Sequence, residues 1–242
     1  MKAIHSVLAC VILFVAAQGS TAADFGSFSG NPVLSWDPDG RTMLLVEDFM
    51  YTDPSSAKWV AAKGSKVDGA SIPQILWSLV GGPYEGKYRN ASVVHDTECT
   101  KPYKHRWQAV HEMFYFASRA GGVDWLKAKV MFAAVYHFGP RWELNGEPPD
   151  KRTLFSSDDF YRMRSLIRRN NEISLGAIKG LTHEALITQV PDNELAAERR
   201  CSTEMNSNFS RYLDERISRG EFVPGGDRER HGDWESYLGC IR

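Results

Sequence analysis

The chain has 242 residues, of which 29 are lysine or arginine and 30 are aspartate or glutamate, so its formal net charge is −1 at pH 7. A general nucleic-acid binder normally has a basic excess, and we therefore expect no nucleic-acid partner. Hydrophobic residues make up 43% of the sequence, which is sufficient for a substantial folded core.

Residues 1–23 have the pattern of a secretory signal peptide. Lys2 gives a short positive start, residues 7–17 form an apolar run, and small residues at 20–23 allow cleavage before Asp24. The apolar run is shorter than the roughly 20 residues that a transmembrane helix needs, and no later stretch is long and apolar enough to span a bilayer. We therefore predict a periplasmic or secreted protein with no membrane span.

Short strands are the first elements predicted after the leader. Residues 42–46 and 59–62 are apolar runs of strand length. The Asp-Pro-Asp-Gly sequence at 37–40 lies between two apolar runs and predicts a hairpin. These features indicate a small antiparallel sheet at the beginning of the mature chain.

From residue 71 onward the apolar spacing becomes that of helices. Ser71 followed three residues later by Gln74 forms a capping box, which begins the first helix. Glycine pairs and a Gly-Pro sequence provide the stops. The spacing predicts helices over residues 71–80, 88–99, 105–119 and 123–138.

The rest of the chain is predicted to be a mostly helical extension over residues 143–242. A proline-rich linker at 147–150 precedes helices with thin apolar faces, at residues 158–170, 182–189, 192–201 and 210–219. The predicted fold class is therefore α+β, with a core domain at residues 24–142 in which a small antiparallel sheet is followed by packed helices.

Three cysteines follow the leader. An exported protein can form disulfides, and Cys201–Cys240 is the pair we predict, with a contribution of about 3–4 kcal/mol in the chain-entropy model. Cys99 is then left without a predicted disulfide partner, as either a buried or a reactive thiol. No catalytic-cysteine motif surrounds it.

Two inward-facing histidines are the main chemical feature of the predicted helices. His95 and His111 each share an apolar helical stripe with core residues, and Asp96 lies about 100° further around the first of these helices. Asp68, in a loop before the helices, is placed to reach the same opening. Because buried titratable groups need partners or a ligand, we predict one pocket lined by Asp68, His95, Asp96 and His111.

A divalent metal such as zinc is the cofactor that this residue set indicates, since imidazole and carboxylate together bind hard or borderline ions. The helix at His111 begins like that of a zinc protease, but Tyr115 occupies the position of the second histidine, so this motif is incomplete. His95-Asp96 is similar to the paired ligands of HD-type phosphohydrolases, but the upstream histidine of those enzymes is missing.

A serine nucleophile is a further interpretation. Ser71 would use His95 or His111 as its base and Asp96 to orient that base. However, Ser71 lacks the Gly-x-Ser-x-Gly turn and already has a role as a helix cap. Capping is therefore the simpler explanation of Ser71.

Purely structural roles remain open for every residue of the predicted pocket. Asp68 before a glycine fits an Asx turn, and Asp96 has arginines nearby in sequence for an ion pair. His95 and His111 can each bond a backbone carbonyl within the core. His137 lies in the last turn of its helix, where a cation suits the helix dipole.

The sequence resembles a bacterial and phage family known as domain of unknown function 1353, over about residues 40–142. The match consists of Asp68-Gly69-Ala70-Ser71-Ile72-Pro73, Trp77, Ala91, His95-Asp96, Arg106, Phe114, Gly121-Gly122-Val123, Tyr136 and Gly139. In that family an aspartate usually stands three residues before the phenylalanine, where this chain has His111. The resemblance implies no established activity.

Two functions are consistent with these observations. The first is an exported, metal-dependent, hydrolase-like enzyme that uses the predicted pocket on a small or polymeric envelope substrate, with the metal activating water. The alternative is a non-enzymatic envelope or phage-related binding or structural module, in which the histidines and aspartates form a buried polar network.

Overall fold

The computed structural model describes residues 24–39, 42–68, 86–100, 102–144 and 156–219. The predicted leader, the predicted helix at 71–80 with its cap Ser71, the predicted linker at 147–150 and Cys240 lie outside these ranges. The predicted leader and the Cys201–Cys240 disulfide therefore stay predictions.

Six short strands in the described ranges form two antiparallel sheets of three strands each, with the orders β1–β4–β5 and β2–β3–β6. The strands are β1 (Ser27–Phe28), β2 (Leu34–Trp36), β3 (Met43–Leu45), β4 (Phe49–Thr52), β5 (Lys58–Ala61) and β6 (Lys66–Val67). The predicted hairpin is confirmed: β2 pairs with β3, and the Asp37 amide donates to the Thr42 carbonyl at 2.8 Å. The sequence predicted one sheet, and the structure has two.

Seven helices follow in the described ranges, and the fold class is α+β as predicted. They are α1 (Arg89–Glu98), α2 (Trp107–Ala120), α3 (Trp125–Phe138), α4 (Ser157–Arg169), α5 (Leu175–Lys179), α6 (His183–Gln189) and α7 (Asp192–Ser218). The predicted helices at 88–99, 105–119 and 123–138 correspond to α1, α2 and α3. Helix α5 has only five residues and was not predicted.

The prediction of separate helices at residues 192–201 and 210–219 is wrong, because α7 is continuous. The intervening residues are mostly polar and include several serines and asparagines, which have modest helix propensity and suggested a break. They contain no glycine or proline, however, so no residue there removes a backbone donor or introduces a strong helix breaker.

Strands β4 and β5 show why the sheet lies on the helices. Phe49 and Tyr51 alternate with less buried residues along β4, and they pair with Ala61 and Trp59 of β5 on the same buried face. Both strands contact α1, as does β6. The sheets therefore cover the helix that carries His95.

Helix α3 is the centre of the helical layer. Ten of its residues are buried, including Leu126, Val130 and Phe132. A helix that is apolar on every side must be covered on every side, and α3 contacts α2, α4 and α5. Asp124 begins α3 by accepting hydrogen bonds from the Leu126 and Lys127 amides.

Residues 156–219 bury more apolar surface than the thin faces predicted from the sequence. Phe160, Met163 and Ile167 of α4 are fully buried and belong to the same hydrophobic cluster as the core helices. A buried ion pair between Arg164 and Glu198, at 2.7 Å, connects α4 to α7. The division into a core at 24–142 and an extension at 143–242 stays a prediction.

Within the described ranges, no helix combines the length and the apolar character needed to cross a bilayer. The predicted periplasmic or secreted location stays a prediction.

Candidate metal centre

Helices α1 and α2 bring His95 and His111 into direct contact, as their inward-facing stripes predict. His95 Nε2 lies 2.8 Å from His111 Nδ1, and both side chains are fully buried. The helices pack along their apolar stripes, so the two imidazoles meet inside the core rather than at the surface.

The backbone after α3 determines the tautomer of His111. His111 Nε2 lies 3.0 Å from the Pro140 carbonyl oxygen, which can only accept, so Nε2 carries the proton and donates it. His111 Nδ1 therefore has a free lone pair and accepts from His95 Nε2. A metal-binding histidine commonly has this second hydrogen bond to a backbone carbonyl.

Gly139 allows the carbonyl of Pro140 to reach His111. A Cβ atom added to Gly139 would lie 2.3 Å from the Val135 carbonyl oxygen, far inside van der Waals contact. Any other residue would therefore shift the end of α3 and the Pro140 carbonyl that follows it. This contact gives a physical reason for the glycine in the sequence pattern described above.

Cys99 completes a three-residue cluster that sequence reasoning did not assemble. It caps the carboxyl end of α1, four residues after His95, so the two side chains share one face of the helix. Its Sγ atom lies 3.9 Å from His95 Nδ1 and 3.8 Å from His95 Nε2. One ligand atom each from His95, Cys99 and His111 lies within 4.8 Å of the others. The i, i+4 spacing of His95 and Cys99 is the signal that identifies this pair.

The two predicted carboxylates are not members of this cluster, which is the one such group among the described residues. Asp96 is buried on α1, at 3% exposure. Asp68 is half-buried directly after β6, which packs on α1. The structure thus brings His95 and His111 together and adds Cys99, while the roles of Asp68 and Asp96 at the site stay predictions.

Burial keeps both imidazoles neutral. Loss of solvation lowers the pKa of His95 well below its usual 6.5, and the neighbouring His111 lowers it further. Burial also lowers the pKa of His111 to about 3, although its bond to Pro140 opposes this shift. Neutral imidazole is the form that binds a metal. Near pH 7 neither histidine therefore has to be deprotonated from imidazolium before a metal can bind.

Aromatic rings enclose the histidine pair. The Phe114 ring lies 4.7 Å from that of His95, and Trp107 and Trp142 lie 5.7 Å and 6.1 Å from His111. The Trp142 indole donates to the His105 carbonyl at 2.8 Å, which fixes its position. This shell limits the access of water and lowers the local dielectric constant.

A pocket of about 210 Å³ lies against the same two tryptophans. It is lined by Arg106, Trp107, Gln108, Trp142, Glu143 and Leu144. The pocket and the histidine pair thus share two walls, Trp107 and Trp142.

His137 has a structural role, as considered from the sequence, but as a hydrogen-bond donor rather than as a cation. Its Nε2 lies 2.8 Å from the Ile178 carbonyl, which connects the end of α3 to α5. Burial lowers the pKa of His137, so a neutral ring that donates this hydrogen bond explains the residue better than a cation at the helix dipole.

Comparison with known proteins gives a resemblance to a family but no activity. Residues 43–135 match the model of the family described as "Protein of unknown function (DUF1353)". An uncharacterised Sinorhizobium fredii protein, y4jT, is 45% identical over 139 residues, which cover 56% of this chain and 41% of the relative. A second uncharacterised protein of that organism, y4iH, is 39% identical over 144 residues, 56% of this chain and 60% of the relative.

The matched region is less than two thirds of the length of either relative. No solved structure matches the chain significantly. His95, Cys99 and His111 all lie inside the matched residues. The segment that carries the candidate metal centre therefore resembles the DUF1353 family, as the sequence pattern predicts.

Proposed function

We propose that this chain is a metal-binding protein that holds one divalent ion through His95, Cys99 and His111. The observation that supports this proposal is the convergence of three ligand atoms, from two helices, within 4.8 Å of one another. The proposed ligand set keeps the two histidines predicted from the sequence and replaces the two carboxylates with a thiolate.

Zinc is the ion that this ligand chemistry favours. Thiolate is a soft ligand and imidazole an intermediate one, a combination that suits Zn²⁺ and disfavours Mg²⁺ and Ca²⁺, which prefer oxygen ligands. Sites with three protein ligands, among them imidazole or thiolate, and one open position are typical of catalytic zinc. The proposed cofactor is therefore zinc.

Metal binding requires the ligand atoms, which lie within 4.8 Å of one another, to move to coordination spacing. A tetrahedral zinc ion with Zn–N distances of roughly 2.0–2.1 Å separates two nitrogen ligands by about 3.3 Å. His95 Nε2 and His111 Nδ1 are 2.8 Å apart, so the imidazoles must separate by about half an ångström. His95 must also transfer its proton from Nε2 to Nδ1, and Cys99 must lose its thiol proton.

Hydrolysis is the reaction that we propose for such a site. Three protein ligands leave a fourth position for water, and a bound zinc ion lowers the pKa of that water toward neutrality. Cys99 is half-buried whereas both histidines are fully buried, so the thiol side is the side nearest to solvent. Asp68 and Asp96 are the proposed proton acceptors, and an envelope ester or amide is the proposed substrate.

A non-enzymatic binding or structural module is the second candidate. It is favoured by the complete burial of His95 and His111 and by the bond from His111 to Pro140. In that case the histidine pair is a buried polar network that specifies how α1 packs on α2. This candidate predicts no metal requirement.

Metal analysis of the purified chain distinguishes the two candidates. We expect one zinc ion per chain, and we expect its loss in His95→Ala and Cys99→Ala. His183→Ala is the matched control, because His183 is exposed on α6 and lies outside the cluster. Absence of zinc after dialysis against excess zinc, with a folded wild-type chain, would overturn the metal proposal and favour the second candidate.

A further inference from the structure

The pocket beside the histidine pair combines charges of both signs with apolar walls. Arg106 and Glu143 are exposed on its rim, Trp107 and Trp142 form its inner side, and Leu144 is 50% exposed. We propose that this pocket binds a short zwitterionic peptide or amino-acid unit. This inference rests on the proposed function, because the peptide would be the substrate-like ligand of the neighbouring centre.

The tryptophan walls are held in place before a ligand arrives. Trp142 stacks on Tyr103 with ring centroids 4.8 Å apart, and the Arg141 guanidinium lies 4.8 Å from the Trp107 ring. Fixed aromatic walls lower the ordering cost of binding. The pocket is therefore a pre-formed surface for the apolar part of a ligand.

The segment after α3 connects the pocket to the metal centre. The Pro140 carbonyl accepts a hydrogen bond from His111 Nε2, and Trp142, Glu143 and Leu144 follow within four residues and line the pocket. A ligand in the pocket would therefore contact the same short segment that orients His111. Because of this shared segment, the pocket is structurally connected to the proposed metal centre.

Size and charge together define the ligand. A volume of about 210 Å³ is below the roughly 300–1,000 Å³ of pockets for drug-sized ligands, so it suits a ligand of one or two amino-acid units rather than a long polymer. Arg106 would pair with a carboxylate and Glu143 with an ammonium group. Gln108 adds an amide that can bond a peptide group.

The test uses the dipeptide Ala-Leu, its N-acetylated form and its C-amidated form as probes, measured by calorimetry on the full chain. We expect saturable binding of Ala-Leu that weakens about two- to fivefold in Arg106→Gln and in Glu143→Gln, the range for exposed ion pairs. Lys104→Gln and Glu47→Gln are controls with the same charge changes at exposed positions outside the pocket.

The capped peptides identify which charge each residue binds. N-acetylation should abolish the effect of Glu143→Gln and leave that of Arg106→Gln, and C-amidation should do the reverse. Equal binding of all three peptides by all variants, or no saturable binding, would overturn the inference. Dipeptide binding by a chain that takes up no zinc would reject the metal proposal alone, and zinc uptake without dipeptide binding would reject the pocket alone.

Discussion

Acidification should destabilise the metal-free chain through His111 before most carboxylates titrate. The pKa of His111 is about 3 in the folded chain because the ring is buried, and it returns to about 6.5 in the unfolded chain. Below pH 6.5 the unfolded state binds a proton that the folded state does not bind. The stabilisation from the neutral ring is therefore complete above pH 6.5 and is lost as the pH falls toward 3.

The magnitude follows from linkage. One such group changes the free energy of unfolding by about 1.4 kcal/mol per pH unit, which amounts to about 3 kcal/mol between pH 6.5 and pH 4. His95 adds to this loss, since its pKa is also lowered. The loss is a substantial fraction of the 5–15 kcal/mol free energy of unfolding that is typical of a folded domain.

The assay is urea unfolding of the metal-free chain between pH 7 and pH 4, compared with His111→Gln. Glutamine keeps a donor for the Pro140 carbonyl and does not titrate. Carboxylate contributions are common to both chains and cancel in the difference. The wild type should lose about 1.4 kcal/mol more per pH unit than the variant below pH 6.5. Parallel stability curves for the two chains would refute the assignment of a neutral, buried His111.

Three further changes test the packing and the ends of the helices, each by chemical denaturation. Glu198→Leu should lower the free energy of unfolding by about 3–5 kcal/mol, because it leaves Arg164 buried and charged. Arg164→Met combined with Glu198→Leu should recover most of that stability. A double variant as unstable as Glu198→Leu alone would contradict this prediction. Ser156→Ala removes the capping box of α4 and should cost about 1 kcal/mol, and an unchanged midpoint would show that the cap is dispensable. Gly139→Ala should cost about 1–3 kcal/mol through its clash with the Val135 carbonyl, and a neutral effect would mean that the end of α3 shifts freely.

Periodicity and stop signals were sufficient to predict much of the fold. The apolar stripes of α1, α2 and α3 placed these helices within two residues of their observed ends. The same stripes predicted that His95 and His111 both face the core. The sequence did not predict that α7 is continuous, because the polar residues at its centre suggested the end of one helix and the start of another. Modest helix propensity alone does not end a helix that contains no glycine or proline.

The candidate site was harder to predict because its members depend on tertiary contacts. Cys99 shares a helix face with His95, which the i, i+4 spacing could have shown, but its distance from His111 depends on how α1 packs on α2. The bond from His111 to Pro140 joins residues 29 positions apart and has no local signal. Asp68 and Asp96 were placed at the same pocket from their loop and helix positions, and their roles there stay predictions.

Cobalt titration of the metal-free chain is a direct test of the proposed three-residue metal site, because Co²⁺ reports the identity of its ligands in its absorption spectrum. We expect one Co²⁺ ion per chain, tetrahedral absorption bands, and a thiolate-to-cobalt charge-transfer band that is absent in Cys99→Ser and is lost when zinc displaces the cobalt. A folded chain that binds no Co²⁺, or that binds it with the same spectrum after Cys99→Ser, would contradict the proposal that His95, Cys99 and His111 form a metal site.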